Sequence, residues 1–180
     1  MGDPGGNSAR VSCRKGEAVT TEQFETLRRT PILFLDIDGV LNGHGYNPES
    51  LSCSIDTRCV ACLNHILKQT DAMIVISSAW RYMILGGAMT LTGFDYMLRT
   101  HGVIASRVAG HTLSDEELPK RGCQIDEWLW RHSHVGPYCI LDDGDPNEYG
   151  FVGRNHVHTD GTTGLVIGDA TKAITFLQKG

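Results

Sequence analysis

No apolar run in the 180 residues approaches the ~18 that a membrane helix needs, so no membrane partner is expected. Residues 1–18 are polar and Gly-rich and hold no apolar centre of a secretory signal, which leaves a cytoplasmic location as the expectation. Basic residues are not in excess: 16 Lys and Arg stand against 21 Asp and Glu, a net charge of −5. That balance excludes a generic polyanion-binding surface and strong nonspecific DNA binding, but not a local basic pocket. The six cysteines imply no disulfide framework in a cytosolic chain of this size. Cys59 and Cys62 have metal-ligand spacing, but no second pair accompanies them, and both fall on an apolar helix face. The pairs His132-x-His134 and His156-x-His158 lack acidic or Cys partners nearby, so zinc is not the preferred reading. The Gly-rich stretches at 86–87 and 161–168 lack the Lys of a phosphate loop. No internal repeat is present, and no low-complexity tract lies beyond 1–18.

What is present suits one domain with a core: 41% of residues are hydrophobic. Residues 1–18 read as a flexible leader and 19–180 as a single domain. A short helix over 20–29 is expected, capped by Thr20 and ended by Pro31. Ile32-Leu33-Phe34-Leu35 is a continuous apolar run, the pattern of a strand buried on both faces. Similar runs occupy 72–76 and 138–141. Further strands are expected at 102–108 and 155–159. Helices alternate with them: 55–69 with Ser54 as N-cap, one from Gly122 through His132, and 169–178 with Ile174 and Leu177 inward. Ser114 and Glu117 have capping-box spacing. The alternation predicts an α/β fold with a mostly parallel central sheet flanked by helices.

Three of the apolar strands finish in small polar or acidic residues. After the first come Asp36, Asp38 and Gly39; after the second, Ser77 and Ser78; after the third, Asp142 and Asp143. Ligands of open α/β sheets bind outside the carboxyl ends of the strands, so these residues should converge on one cleft. Four carboxylates there would repel one another and stay ionised only around a cation. Hard oxygen donors favour Mg²⁺, which is usually found beside phosphate. Phosphoryl chemistry is the resulting expectation.

The segment Leu33 to Leu41, with its Asp36-Ile37-Asp38-Gly39 core, resembles the first motif of the haloacid dehalogenase (HAD) superfamily. Ile74-Val75-Ile76-Ser77 resembles the second motif, and Ile140-Leu141-Asp142-Asp143 the fourth. Lys120 and Arg121 compete for the third, a cation opening the helix before the last acidic strand; Arg-Gly-x-x-Ile favours Arg121. Ser-Ser-x-Trp-Arg at 77–81 and Arg-Gly-x-x-Ile-x-x-Trp at 121–128 narrow the resemblance to the HAD domain of multifunctional RNA-repair proteins. It spans residues 31–178 and implies a Rossmann-like HAD fold.

The resemblance implies a Mg²⁺-dependent phosphatase. Asp36 would attack phosphorus and form an aspartyl-phosphate. Asp38 would protonate the leaving oxygen and then deprotonate water. Ser77 and the cation at 121, or its rival at 120, would hold the phosphoryl oxygens. The metal's ligands would be Asp36, the Asp38 carbonyl and Asp143, with Asp142 as ligand or support. Substrate contacts are expected from Gly39, His44, Tyr46, Ser78, Trp80 and Arg81, with Tyr46 suited to stacking on a base. The intervals between motifs leave no room for a large cap domain. An open cleft suits a phosphate on a macromolecule, such as an RNA or DNA end, as well as a nucleotide. The alternatives are a small-metabolite or phosphoprotein phosphatase, or a catalytically idle HAD fold used as a binding module. No protein partner is predictable.

Overall fold

The computed structural model describes residues 25–26, 28–42, 55–104 and 107–179. The leader at 1–18, the Ser54 cap, His44 and Tyr46 lie outside the described residues, as does most of the helix expected over 20–29. The strands are β1 (Ile32–Leu35), β2 (Met73–Ile76), β3 (Val108–His111), β4 (Tyr138–Asp142) and β5 (His156–His158). The helices are α1 (Thr57–Thr70), α2 (Arg81–Leu85), α3 (Leu91–Thr100), α4 (Arg121–Arg131) and α5 (Ile167–Leu177). Two 3-10 turns, Pro146–Glu148 and Gly150–Asn155, link β4 to β5. Among the described residues there is no inserted cap domain, and no helix is long and apolar enough to cross a membrane.

The five strands form one parallel sheet in the order β3-β2-β1-β4-β5. The continuous apolar run of β1 is explained by its central place. Leu33 and Leu35 face a layer built with α1, α3 and α5, through Leu63, Ile66, Phe94, Leu98, Ala173 and Leu177. Ile32 and Phe34 face the other layer, where Ile125 and Trp128 of α4 pack with Tyr149 and Val152. Phe34 meets Trp128 edge to face, ring centroids 5.5 Å apart. Both faces are covered by apolar groups, as an all-parallel sheet requires.

Two boundaries differ from expectation. The N-cap of α1 is Asp56, whose carboxylate accepts the Arg58 N–H at 2.7 Å. The strand expected at 102–108 lies at Val108–His111 instead. Val103 is buried beneath the end of α3 and belongs to the turn that closes that helix, since its N–H donates to the Leu98 carbonyl at 3.1 Å. Ser114 and Glu117 do form the reciprocal capping-box bonds, but they cap one isolated turn and not a helix.

The chain runs β1, β2, β3 to one side and then returns to place β4 and β5 on the other. The order therefore reverses between β1 and β4, which pair in register from Ile32–Tyr138 to Leu35–Leu141. The crevice at such a reversal is where open α/β sheets bind ligands. Asp36 and Asp142 are the next residues on these two strands.

Candidate active site

The carboxyl ends of β1 and β4 place three carboxylates together. Oxygens of Asp36, Asp142 and Asp143 lie within 4.8 Å of one another. The side-chain Nη1 of Arg121, at the first turn of α4, bridges two of them, donating to Asp36 Oδ2 at 3.0 Å and Asp142 Oδ2 at 2.7 Å. The other Asp36 oxygen accepts the Ile37 N–H at 2.7 Å, and the Ser78 side chain also bonds this carboxylate. Asp142 Oδ1 accepts the Gly144 N–H at 2.9 Å. The cleft outside these groups has a volume of about 360 Å³ and is lined by Asp36, Asp38, Gly39, Asn42, Ala79, Arg121, Asp143 and Gly161.

Burial and like charge make this a strained electrostatic site. Asp36 is pushed up to about 6, first by burial and then by the Asp142 charge, against the opposing pull of Arg121. Asp143 is raised as well, by burial first and by Asp142 second. Burial works against the Arg121 charge, but Asp142 and Asp36 more than offset it and hold the guanidinium protonated.

The donor chemistry fits a hard divalent cation. Three carboxylates offer oxygen ligands, and a single Arg⁺ cannot balance them. Asp143 sits in a cradle that depends on missing side chains. A Cβ on Gly39 or on Gly161 would collide with its carboxylate. Gly39 also has φ +74°, a conformation that favours glycine.

A family model of the HAD domain in Swiss Army Knife RNA repair proteins matches residues 32–170. The chain belongs to this HAD family. The match takes in all five strands and every residue of the HAD carboxylate cluster. It supports HAD-type phosphohydrolase chemistry. No curated protein and no solved structure matches the chain.

Several residues expected in the HAD cleft are placed otherwise. Arg121, not Lys120, meets the carboxylates; Lys120 lies at the N-cap of α4 and lines a separate hollow with Cys123, Asn147 and Phe151. Arg81 is not a substrate contact. Its side chain is 0% exposed and all its donors are used, on the carbonyls of Leu113, Ser77 and Ser78, on Asp115 and on Gln124. Ser78 is buried behind Asp36 and accepts the Trp80 N–H at 3.2 Å, so it supports the carboxylate and does not face a substrate. Gly39 lines the cleft, but its N–H is taken by Asn42 Oδ1 at 2.9 Å and its carbonyl by Thr159. Its contribution is the space it leaves for Asp143. Trp80 meets the cleft through its indole N–H, which donates to Asp38 Oδ2 at 2.9 Å. Ser77 is fully buried at the end of β2, and its hydroxyl finds no partner among the described residues.

Both His pairs stay out of the acidic cluster. His132 stacks on Trp128 at 3.9 Å, while His156 contacts the Asp142 carbonyl at 2.9 Å. Asn42 and Gly161 are cleft residues that the sequence reading does not single out. Asn42 directly follows the Asp-x-Asp-Gly-Val-Leu motif, and that adjacency is the signal that could have found it.

Proposed function

We propose that this chain is a Mg²⁺-dependent phosphatase that works through an aspartyl-phosphate on Asp36 and acts on a terminal phosphate of RNA or DNA, or on a nucleotide. The observation that carries the reading is the meeting of Asp36, Asp142, Asp143 and Arg121 at the β1–β4 crevice. The family's description in RNA repair proteins and the lack of an inserted cap domain among the described residues support the substrate class.

Asp36, the Asp38 carbonyl and Asp143 would hold the Mg²⁺, with Asp142 as a further ligand or as support. When bound, the ion neutralises phosphate and nucleophile so that two anions can meet. The Asp36 carboxylate attacks phosphorus as the ester P–O bond breaks. Asp38, two residues on and facing the cleft, gives its proton to the leaving oxygen, then takes one from the water that hydrolyses the acyl phosphate. Arg121 holds charge on the transferring group. The unpartnered Ser77 hydroxyl is suited to a phosphoryl oxygen, because buried polar groups are rarely left without one.

The test is phosphate release from 3′- and 5′-phosphorylated oligonucleotides, mononucleotides, sugar phosphates and a phosphopeptide, with Mg²⁺ or chelator. Release should need Mg²⁺ and should rank nucleic-acid ends or nucleotides first. A preference for sugar phosphates or phosphopeptide would replace the substrate class, and failure on every substrate would favour the idle binding module. Mg²⁺ should also raise the melting temperature, since an ion at 100 times its Kd adds about 2.7 kcal/mol to folding stability.

Gly161→Ala supplies a separate check on the metal ligand. The new methyl would displace the Asp143 carboxylate from its cradle. We expect Mg²⁺ affinity, read from the melting shift against Mg²⁺ concentration, to fall by about 10-fold or more. An unchanged titration would remove Asp143 from the ligand set.

A further inference from the structure

Asp38 is exposed, unlike Asp36, yet both of its carboxylate oxygens are held. The Trp80 indole N–H donates to Oδ2 at 2.9 Å and the Asn42 amide donates to Oδ1 at 2.7 Å. Each donor is fixed from behind. Asn42 is oriented through its own Oδ1, which accepts the Gly39 N–H. The indole packs edge to face on Phe94, centroids 6.4 Å apart, and Phe94 is fully buried in the core. An exposed aspartate with no such partners would sample several rotamers. Here a rigid ring spans the distance from the core to the carboxylate, and its N–H can only donate, so it always seeks an acceptor oxygen.

We propose that Trp80 is a positioning residue that, together with Asn42, locks the Asp38 carboxylate in the rotamer that faces the leaving oxygen of a bound phosphate ester. The inference rests on the reading of Asp38 as proton donor given above. In that step the proton passes from Asp38 to the leaving oxygen as its bond to phosphorus breaks and the Asp36–phosphorus bond forms. A tilted Asp38 would miss this transfer while leaving the attack by Asp36 untouched. The cost then depends on the leaving group. Nitrophenolate departs well without a proton, whereas phenolate departs poorly.

The experiment compares kcat/KM for p-nitrophenyl phosphate and phenyl phosphate with Mg²⁺ in wild type, Trp80→Phe, Asn42→Ala and Asp38→Asn. Trp80→Phe keeps a ring against Phe94 and deletes the N–H. We expect it to lower kcat/KM by about 10-fold for phenyl phosphate and by less than about 2-fold for p-nitrophenyl phosphate, a fraction of the ~10²–10⁴ that a general acid supplies. Asn42→Ala should show the same asymmetry and carries the test should Trp80→Phe fail to fold. Asp38→Asn should show it most strongly. Equal losses on both esters, or none, in the Trp80 and Asn42 variants would overturn the proposal while the Asp38 pattern leaves the proton-donor reading standing. Absence of leaving-group dependence in Asp38→Asn, or of any turnover by wild type, would remove that reading and the proposal with it.

Discussion

Asp36→Asn is expected to abolish Mg²⁺-dependent phosphate release and, at the same time, to stabilise the metal-free fold at neutral pH. Removal of a nucleophile costs activity on the order of 10⁴-fold or more. The stability gain follows from linkage. Asp36 is raised from an ordinary value near 3.8 to about 6, by burial first and the Asp142 charge second. Between those values the folded chain binds more protons than the unfolded one, so stability falls as pH rises through the window and stays low above it. One pKa unit corresponds to about 1.4 kcal/mol, so the ionised carboxylate costs the metal-free fold a few kcal/mol. Asparagine does not ionise and escapes that cost. Melting in chelator should show Asp36→Asn above wild type at pH 7.5, with the difference shrinking towards pH 4. Mg²⁺ should narrow the gap from the other side by stabilising wild type more. Phosphate release that survives in the variant would mean that another group is the nucleophile.

Arg81→Met should cost the most stability of any single change considered. The guanidinium is fully buried, and its donors satisfy the Leu113, Ser77 and Ser78 carbonyls at 2.9, 3.3 and 2.8 Å. It also meets Asp115 at 2.6 Å and Gln124 at 3.3 Å. Gln124 belongs to α4 and in turn donates to the Leu118 carbonyl at 2.6 Å. One side chain therefore ties the end of β2 to the loop before α4, and thereby places Ser77 relative to Arg121. Methionine fills much of the space but takes the guanidinium donor from the Leu113 and Ser77 carbonyls, each loss costing about 1–3 kcal/mol, while Ser78 keeps the backbone N–H of residue 81. A total of about 3–5 kcal/mol is expected in urea unfolding, with activity reduced in parallel. Asp115→Asn should cost about 1 kcal/mol or less, because that carboxylate is 57% exposed and solvent screens the pair. A loss below 1 kcal/mol in Arg81→Met would show that the network is not what holds this corner together.

The parts of this arrangement that the sequence reveals are those written in local pattern. β1, β2 and β4 are legible because strands buried on both faces must be apolar throughout, and the acids after them stand out by contrast. β3 is less legible. Val108–His111 is an edge strand whose four residues are only partly buried, so no strong periodicity marks it, while the apolar Val103-Ile104 pair beside it belongs to a turn. No cap or apolar period in the sequence marks the boundaries of α2 and α3 as clearly. The choice between Lys120 and Arg121 is open in the sequence because the two are adjacent; the phase of α4 decides which one reaches the carboxylates. Arg81 looks like a ligand for phosphate when read locally. Besides the nearby Ser77 and Ser78 carbonyls, its partners lie at 113, 115 and 124, contacts between distant segments that no local spacing encodes.

The reversal of strand order has a consequence for how the cleft comes into being during synthesis. β1 and β4 are neighbours in the sheet but stand about a hundred residues apart along the chain, so their pairing closes a long loop. A chain emerging from its N-terminus displays Asp36 and Asp38 long before residues 138–143 have been made. Until then Asp36 lacks its acidic neighbours, and Gly39 has no Asp143 carboxylate to receive. No fragment ending before β4 can assemble the cluster, because Asp142 and Asp143 join Asp36 and Arg121 only once β4 has been made.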